Sequence, residues 1–451
     1  MVLLYEYELD SVLEEIMTRW GIPGLGVGIV KEGAIAYAKS FGVKSLETRA
    51  SVQVDSTFCL ASISKCFVAS AVMQQVEQGK IELDAPLVSY LPYFKLDDER
   101  YPQITIRQIL SHTSGMPDMD EVEYNDLVLH PETDDEAAER YVRAMSRRKL
   151  VHAPGERFSY SNIAYNLLGD LIAKTSRQTF EAYMKEHILF PAGMSDSTFL
   201  LAEVDQARQA MPHLRSPEMI VHPNYPYHRA DAPASFLHST VIDMCHWSLT
   251  CLNHGSFNEQ QILTPASYEL MWTPAVKRSA VPLYENMGLG WILGHFEGLK
   301  TVSHGGGGFG WTCFLVLLPE REMAAIILCN EESSGHTAAV KAVMHTMFDR
   351  EPEAGAVSWM VPITKALQAG GIQAAQICYD ELKNNDRAEY YFDEDGLLVL
   401  VYQLIGVNKL DLAIDVLKLN IRIFPENLES YTLLSNLYIR KCKHTQDKEI
   451  L

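Results

Sequence analysis

Apolar positions near the two ends of the first 350 residues follow the periods of helices and strands. Helical spacing over residues 8–20 predicts a helix, and apolar runs over 23–30 and 34–41 predict two strands joined by a Lys-Glu-Gly turn. Three more apolar runs between residues 289 and 331 predict a second group of strands, and the pattern over 336–349 predicts a helix after them. Strands at both ends of this unit predict one antiparallel sheet assembled from both ends.

The segment between the two groups of strands has a different pattern. A helix is predicted from about residue 62 to Gln78, and Gly79 ends it. Residues 80–280 are mostly helical and loop sequence. We therefore predict an α+β fold, in which an antiparallel sheet is flanked by helices and faces a helical region, with the functional site between the two.

The chain changes character after residue 350. Residues 351–357 form a predicted linker between a domain over 1–350 and a small all-α repeat domain over 358–451. The second domain resembles a tetratricopeptide array. The residues that carry this resemblance are Leu400, Ala413, Leu417 and Pro425 in one copy and Leu428, Tyr431, Leu434 and Tyr438 in the next, after a looser helix pair with Gly371, Ala374 and Ala375.

Such helical arrays have two common uses. Many bind peptides or partner proteins, whereas a short array can cap the neighbouring domain or support a homodimer. Fewer than three clean copies are visible here, which favours the structural role and leaves a protein partner as the alternative.

Composition is typical of a soluble globular protein and argues against some partners. Of the 451 residues, 47% are hydrophobic and 21% are charged, which is ample for a large core. The 58 acidic and 38 basic side chains give a formal charge of −20. This charge argues against non-specific binding of nucleic acid or of an anionic membrane.

Three features favour a cytoplasmic location. The first ten residues contain early acids and no basic region with a long apolar core, so no secretory signal is predicted. No run of eighteen apolar residues occurs, so no membrane span is predicted. The eight cysteines, at positions 59, 66, 245, 251, 313, 329, 378 and 442, are scattered and are expected to be reduced thiols, often buried.

Ser62 and Lys65 stand three residues apart in the segment FCLASISKCF. Helical spacing places both side chains on one face, where a desolvated lysine can accept the proton of a serine hydroxyl. Ser62 would lie in the first turn, where free backbone N–H groups favour a developing anion. The alternative is a surface serine and a solvated lysine, and the pattern alone is weak evidence.

Two later segments add candidate chemistry. Tyr160 and Asn162 stand two residues apart and can project into one cleft. The phenol could relay a proton to a leaving group, and the amide could bind a substrate carbonyl or hold the lysine. The alternative is a packed tyrosine beside an N-capping asparagine. In the run SHGGGGFGW, which contains His304, the glycines allow a substrate to approach the backbone, so that an N–H group can point at an oxyanion. A flexible turn is the alternative for this run.

The order and spacing of these three motifs resemble the serine β-lactamase and penicillin-binding-protein superfamily. The closest resemblance is to the branch of class C β-lactamases, D-aminopeptidases and family VIII esterases. The phrases ITIRQILSHTSGMP at 104–117 and GLGW at 288–291 are also typical of this family. The resemblance covers roughly residues 8–348.

This resemblance implies a role for each motif residue. Ser62 would be the acylated nucleophile, Lys65 its base, and Tyr160 the general acid and base shared by acylation and deacylation. Asn162 would orient the substrate and Lys65. The backbone N–H groups of Ser62 and Gly307 would form the oxyanion hole.

The resemblance also implies a substrate-binding role for the segment that begins at His304 and includes Gly306. His304 occupies the position where many penicillin-recognising members carry a lysine. A lysine there attracts the carboxylate of a β-lactam, whereas histidine is mostly neutral at pH 7. The expected substrates are therefore esters, amides or peptides, with weak or no β-lactamase activity.

Other catalytic classes find less support. His-Gly-Gly-Gly also resembles the oxyanion motif of α/β-hydrolases, but no Gly-x-Ser-x-Gly segment occurs and the glycines come late in the chain. Neither His-Glu-x-x-His nor paired Cys-x-x-Cys is present, so no metal and no cofactor is expected. His213, His222 and His228 are interpreted as loop residues, with substrate contact as the alternative.

The combined prediction is a serine hydrolase that acts on a small ester, amide or peptide through a Ser62 acyl-enzyme. A D-stereospecific peptidase, a peptide cyclase or an acyltransferase on the same scaffold is the alternative among enzymes. A different class, a catalytically idle scaffold that binds partners through its helical repeats, is disfavoured by the presence of all three motifs.

Overall fold

The computed structural model describes residues 3–119, 123, 130–215, 217–332, 335–384, 390–391 and 396–450, with side chains in the last helix up to residue 441. An eight-stranded antiparallel sheet forms its centre, with the strand order β2-β1-β14-β13-β12-β11-β10-β9. The strands of this sheet are β1 Gly24–Lys31, β2 Ala34–Gly42, β9 Val276–Lys277, β10 Asn286–Met287, β11 Ile292–Phe296, β12 Leu299–Gly308, β13 Trp311–Leu318 and β14 Met323–Cys329. Short two-residue to three-residue strands pair outside it: β3 Phe58–Cys59, β4 His213–Arg215, β5 Met219–Val221, β6 His238–Ser239, β7 Ser256–Phe257, β8 Gln260–Gln261, β15 Val357–Ser358 and β16 Tyr390–Tyr391.

Helices pack on both faces of this sheet, and further helices follow the last strand of the sheet along the chain. They are α1 Glu6–Trp20, α2 Ser64–Glu77, α3 Ile106–Leu110, α4 Ala137–Ala144, α5 Asn162–Ser176, α6 Phe180–Met184, α7 Ala232–Ser235, α8 Val241–Leu252, α9 Pro265–Met271, α10 Gly335–Met347, α11 Met360–Asn384, α12 Gly396–Gly406, α13 Leu410–Ile423 and α14 Leu428–Ile450. None of these described helices has the length and the apolar character that a membrane span requires.

The sheet is assembled from strands near both ends of residues 1–350, as the hydrophobic pattern predicts. β1 pairs antiparallel with β14, from Leu25 opposite Cys329 to Lys31 opposite Met323. The predicted α+β fold class is therefore confirmed. The predicted turn between β1 and β2 is also present, with left-handed backbone at Glu32 and Gly33.

Small residues on one side of β1 allow a helix to approach the sheet closely. A Cβ atom at Gly26 would lie 2.6 Å from a methyl group of Val241, and one at Gly28 would lie 2.6 Å from Cys245 Sγ. Both contacts belong to α8, which therefore packs directly on the backbone of β1. The alternation of glycine with larger apolar residues in this strand sets the distance between the sheet and the helical region.

Two apolar cores result, one on each face of the sheet. On one face, α1 and α10 pack against the sheet through side chains such as Leu13, Trp20 and Val343. On the other face, α2, α5 and α8 form the larger core with the remaining helical region. The segment that carries Ser62 lies between this second core and β12, which is the position predicted for the functional site.

The helical region after residue 350 has a core of its own. Trp359, Leu400, Ala413 and Leu417 are buried in it together with neighbouring side chains of α11 to α13. Three residues of the predicted second repeat copy are not buried in this core. Leu428, Tyr431 and Tyr438 on α14 are 80%, 46% and 43% exposed. No helix among the described residues follows α14 to cover them, and the tetratricopeptide assignment stays a prediction.

Candidate active site

Ser62 lies in a short 3₁₀ turn, Ala61–Ile63, immediately before α2. It is thus placed one turn ahead of the helix, whereas the spacing predicts a position within the first helical turn. Ala61 has left-handed backbone with φ of 45°, which is strained for a residue other than glycine. The side chain of Ser64 braces the turn, since its Oγ donates to the Ala61 carbonyl at 2.6 Å and accepts from Leu237 N at 3.0 Å.

Lys65 is fully buried and directed at Ser62. Its Nζ lies 3.0 Å from Ser62 Oγ and donates to Asn162 Oδ1 at 2.7 Å and to the Ala234 carbonyl at 2.8 Å. Burial lowers the pKa of Lys65 to about 7, against the opposing effects of Asp231 and Asp118. An amine of this pKa exists partly unprotonated at neutral pH and can accept a proton from the serine hydroxyl.

Tyr160 completes a compact group with these two residues. Its ring centroid is 5.0 Å from Lys65 Nζ, and its hydroxyl is within hydrogen-bonding reach of the Ser62 side chain. The ring stacks on His112 at a centroid distance of 4.1 Å. Burial raises the pKa of the Tyr160 phenol, which therefore stays protonated at neutral pH.

His112 orients the segment that carries Tyr160. The backbone N–H of Ser161 donates to His112 Nδ1 at 3.2 Å, so the ring proton lies on Nε2. Burial, followed by the charges of Lys65 and other neighbours, lowers the pKa of His112 far below its ordinary value. A neutral imidazole thus supports Tyr160 without adding a positive charge to the site.

Asn162 is held in place by Asp118. The carboxylate of Asp118 accepts from Asn162 N at 2.9 Å and from Asn162 Nδ2 at 3.1 Å. The amide oxygen of Asn162 is thereby turned toward Lys65. Asn162 is the first residue of α5, and Ser161 is the N-cap, since its hydroxyl accepts from Ala164 N.

A second carboxyl group lies behind Lys65. Asp231 is 1% exposed and accepts from Asn166 Nδ2 at 2.5 Å. The amide oxygen of Asn166 accepts from Ala234 N at 3.3 Å, and the carbonyl of Ala234 in turn accepts from Lys65. Burial raises the pKa of Asp231, which interacts electrostatically with Lys65.

The glycine run forms the last part of β12 and approaches the Ser62 turn. A Cβ atom at Gly306 would lie 2.1 Å from the Leu60 carbonyl oxygen and 3.2 Å from Ser62 N. Gly307 is exposed, with open space where a side chain would project. The predicted alternative of a flexible turn is wrong, because these glycines pair with β13 from Gly305 opposite Phe314 to Gly308 opposite Trp311.

His304 is 2% exposed on the same strand. Its Nδ1 donates to the Gly305 carbonyl at 2.7 Å, and its Nε2 has no hydrogen-bond partner among the described residues. Burial and the charge of Lys65 lower the pKa of His304 to about 3. The imidazole is therefore neutral at pH 7, as expected for this position.

The three other histidines of interest do not form a metal site. His213 lies in β4 and not in a loop as expected; Leu46 N donates to its Nε2 at 3.1 Å, and its Nδ1 donates to the Asn330 carbonyl at 2.8 Å. His222 and His228 lie in the following loop, where His228 Nδ1 accepts from Ala230 N. Among the described residues, no group of histidine, cysteine and carboxylate side chains could hold a metal ion.

The structure brings the sequence-predicted site residues together at one place, between α2, the start of α5 and β12. Sequence reasoning missed four further members: His112, Asp118, Asn166 and Asp231. His112 and Asp118 stand in or directly after the SHTSGMP segment, so that segment was a signal for them. Asn166 carried a weak signal as the fourth residue after Asn162 on one helix. Asp231 carried none, because a lone acid in a polar stretch looks solvated.

Two curated proteins have sequences that are similar to much of this chain. Protein flp of Staphylococcus aureus (strain MW2) is 25% identical over 329 residues, which cover 73% of this chain and 64% of that protein. Beta-lactamase-like protein 2 of Dictyostelium discoideum is 30% identical over 263 residues, or 55% of this chain and 46% of that protein. The chain thus matches less than two thirds of the length of these curated relatives.

A solved structure and a family model cover more of the chain. The octameric penicillin-binding protein homologue from Pyrococcus abyssi superposes with a TM-score of 0.67 at 27% identity, over 81% of each chain. The family model described as Beta-lactamase matches residues 9–344, which include the Ser62, Tyr160 and His304 segments. The chain belongs to the beta-lactamase family.

Proposed function

We propose that this chain is a serine hydrolase that acts on ester or amide substrates through an acyl-enzyme at Ser62. The observation that carries the proposal is the buried Lys65 amine 3.0 Å from Ser62 Oγ, with a pKa lowered to about 7. An unprotonated amine at that distance is a competent base for a serine hydroxyl. A buried lysine with only a structural role would need no serine beside it.

Acylation uses the groups around Ser62 in turn. Lys65 accepts the proton of Ser62, whose Oγ forms a bond to the substrate carbonyl carbon. The backbone N–H groups of Ser62 and Gly307 stabilise the resulting oxyanion, and the closeness of β12 to the Leu60–Ser62 backbone supports this assignment. The tetrahedral intermediate then breaks its bond to the leaving oxygen or nitrogen.

Tyr160 delivers the proton that the leaving group needs. The raised pKa of its phenol keeps the proton available, and the ammonium of Lys65 beside the ring can replace it once transferred. In the second half of the reaction, water attacks the acyl carbon and gives a proton to the same basic groups. The bond between the acyl carbon and Ser62 Oγ then breaks, Ser62 Oγ takes that proton back, and the acid is released. Asn162 holds Lys65 through its amide oxygen and keeps the amine aligned throughout.

We expect slow acylation and poor turnover of β-lactams. The neutral His304 places no cation on β12 for the carboxylate of such a substrate. Hydrolysis of nitrocefin at the rate of a dedicated β-lactamase would contradict this expectation.

The experiment that tests the proposal is the intact mass of the protein after incubation with a fluorophosphonate. One adduct on the wild type and none on Ser62→Ala is the expected result, followed by loss of hydrolysis of a neutral ester such as p-nitrophenyl acetate in the variant. Equal adducts on both proteins, or equal esterase activity, would overturn the proposal.

Among alternatives, transfer of the acyl group to an amine or alcohol deserves a direct test. A peptidase, a cyclase and an acyltransferase share the acyl-enzyme and differ in the acceptor that releases it. Product analysis with an added amine, such as glycinamide, separates them, because a transferase yields the amide and a hydrolase yields the free acid.

We further propose that residues 1–350 form the hydrolase domain and that residues 358–451 form a helical domain, which supports the hydrolase domain or mediates self-association. Sedimentation of the full chain tests self-association, and a monomer at working concentration would leave the helical domain with a supporting role alone.

We also propose that the protein works in the cytoplasm. Seven described cysteines are free thiols, six of them buried, which suits a reducing compartment.

A further inference from the structure

The turn between β12 and β13 has a strained backbone and lies next to the active site. Gly308 pairs with Trp311 across the two strands. Phe309 and Gly310 between them form the turn, and their φ angles of 59° and 91° are both left-handed. Hairpin turns of this kind favour asparagine or aspartate before the glycine, and a bulky side chain is rarely left-handed. Contacts from other segments must therefore hold this turn in its conformation.

The position of the turn matters for the proposed oxyanion hole. Gly307, the proposed second donor, lies two residues before Phe309 and pairs with Thr312 of β13. A shift of the turn moves the end of β12 and changes the direction of the Gly307 N–H group. Such a donor stabilises an oxyanion only when it lies within hydrogen-bonding distance of the place where the negative charge develops.

One side of the turn packs against the active site itself. The ring of Phe309 stacks on that of Phe236, with the two centroids 5.3 Å apart. The next residue, Leu237, donates through its backbone N–H to Ser64 Oγ at 3.0 Å, and Ser64 braces the turn that carries Ser62. This contact fixes the turn relative to the nucleophile.

Strand β4 and the segment after β14 hold the other side of the turn. His213, the first residue of β4, donates through its backbone N–H to the Gly310 carbonyl at 3.2 Å and to the Asn330 carbonyl at 3.1 Å. A Cβ atom at Gly310 would lie 2.8 Å from His213 N, so the strand and the turn are in direct contact. The carboxyl group of Glu332 also accepts from the backbone of Gly310.

The helix α12, which lies after residue 350, holds both of these segments. Gln403 Oε1 accepts from Arg215 N, at the last residue of β4, and Gln403 Nε2 donates to the Glu332 carbonyl. Gln403 and Arg215 are 3% and 8% exposed, so water does not replace these hydrogen bonds. Because β4 has only three residues, the contact with Gln403 lies two residues from the contact with the turn.

We propose that Gln403 is a positioning residue for the oxyanion donor Gly307, so that the helices after residue 350 contribute to catalysis at Ser62. Gln403 fixes β4 and the segment after β14, these two segments fix the strained turn, and the turn fixes the end of β12. The inference rests on the proposed Ser62 reaction and assigns these helices a part in its rate.

Gln403→Leu tests the proposal, with Asn420→Leu as the matched control. Asn420 is fully buried on α13 and donates to Ser430 Oγ at 2.9 Å, so its loss weakens the same group of helices without touching β4. Both variants are assayed at a temperature where circular dichroism shows them folded. We expect kcat for p-nitrophenyl acetate to fall about tenfold in Gln403→Leu with KM within about twofold, because a displaced donor weakens the transition state alone. The control should keep kcat within about twofold of the wild type.

The pH profile separates this effect from an effect on Lys65. The midpoint of fluorophosphonate labelling should be the same in Gln403→Leu as in the wild type, because the groups around Lys65 are intact. Equal losses of kcat in Gln403→Leu and Asn420→Leu, an unchanged kcat in Gln403→Leu, or a displaced midpoint would overturn the positioning role.

Amide hydrogen exchange tests the same contact independently of the chemistry at Ser62. Exchange over residues 305–312 should be at least about fivefold faster in Gln403→Leu than in the wild type or in Asn420→Leu, whether or not Ser62 is a nucleophile. Equal exchange in all three proteins would show that α12 does not hold the turn.

Discussion

The ionisation of Lys65 is the central property of the site at the scale of single residues. Burial lowers its pKa, while the carboxylates of Asp231 and Asp118 oppose this effect. Neither histidine of the site competes as a base, because burial lowers the pKa of both imidazoles, that of His112 far below its ordinary value and that of His304 to about 3. The reaction proposed here therefore depends on a balance between desolvation and two nearby negative charges.

The pH dependence of acylation should report this balance. We expect the rate of fluorophosphonate labelling to rise with pH through about 7, since the Lys65 amine must lose its proton first. In Asp231→Asn the negative charge that favours the ammonium is gone, so the rise should move to lower pH by about one unit. Asn166 can still donate to the new amide oxygen, which preserves the geometry.

The control for this measurement is another buried carboxyl group. Asp170 is 2% exposed and accepts from Tyr93, and it does not contribute to the ionisation of Lys65. Asp170→Asn should therefore leave the midpoint of the labelling profile unchanged. An unchanged midpoint in Asp231→Asn would show that this carboxyl does not set the basicity of Lys65.

At the scale of elements, the site depends on the contact between β12 and the 3₁₀ turn of Ser62. The strand can approach the turn because Gly306 has no side chain on the face toward Leu60. Its neighbour Gly307 opens to solvent, which leaves room for a substrate beside the strand. A run of glycines therefore acts here as a close-packed strand and not as a flexible link.

A single methyl group should disturb this contact. Gly306→Ala places a Cβ atom 2.1 Å from the Leu60 carbonyl oxygen, so the strand and the turn must separate. We expect the labelling rate of Ser62 to fall by about 100-fold or more, because an oxyanion donor is misplaced, with the circular dichroism spectrum retained. Gly406→Ala, where a Cβ meets open space, is the control, and wild-type labelling of Gly306→Ala would contradict the predicted contact.

At the scale of the whole molecule, the helices after residue 350 are joined to the preceding part of the chain through buried polar contacts. Gln403 of α12 is 3% exposed; its Oε1 accepts from Arg215 N at 2.7 Å, and its Nε2 donates to the Glu332 carbonyl at 2.8 Å. Arg215 also forms an ion pair with Glu331 at 3.0 Å, and Glu331 directly follows Asn330 at the end of β14. The helical region is thus held against the sheet itself.

Removal of the Gln403 amide tests this connection. Gln403→Leu has a similar volume but leaves two buried backbone groups without partners, so we expect the free energy of unfolding to fall by about 1–3 kcal/mol in urea denaturation. Gln260→Leu, an exposed position on β8, should change it by less than about 0.5 kcal/mol. An equal effect of both variants would mean that the contact adds no stability.

Much of this molecule could be predicted because its signals are local in sequence. The β1–β2 hairpin, the helix after Ser62 and the late strands each follow from the hydrophobic period and from glycine positions, and the Ser-x-x-Lys, Tyr-x-Asn and His-x-Gly motifs identify the family. Local spacing also places Ser62 beside Lys65, since one helical turn sets that distance.

The sequence by itself therefore determined the α+β fold, the family and the three motifs that meet at the site. Tertiary structure alone decided how those motifs are supported. Asp231 lies 169 positions after Ser62, and nothing local in the sequence links it to Lys65. Burial, charge and the shape of the cleft arise only when distant segments pack, because desolvation depends on every atom around a group and not on its neighbours along the chain.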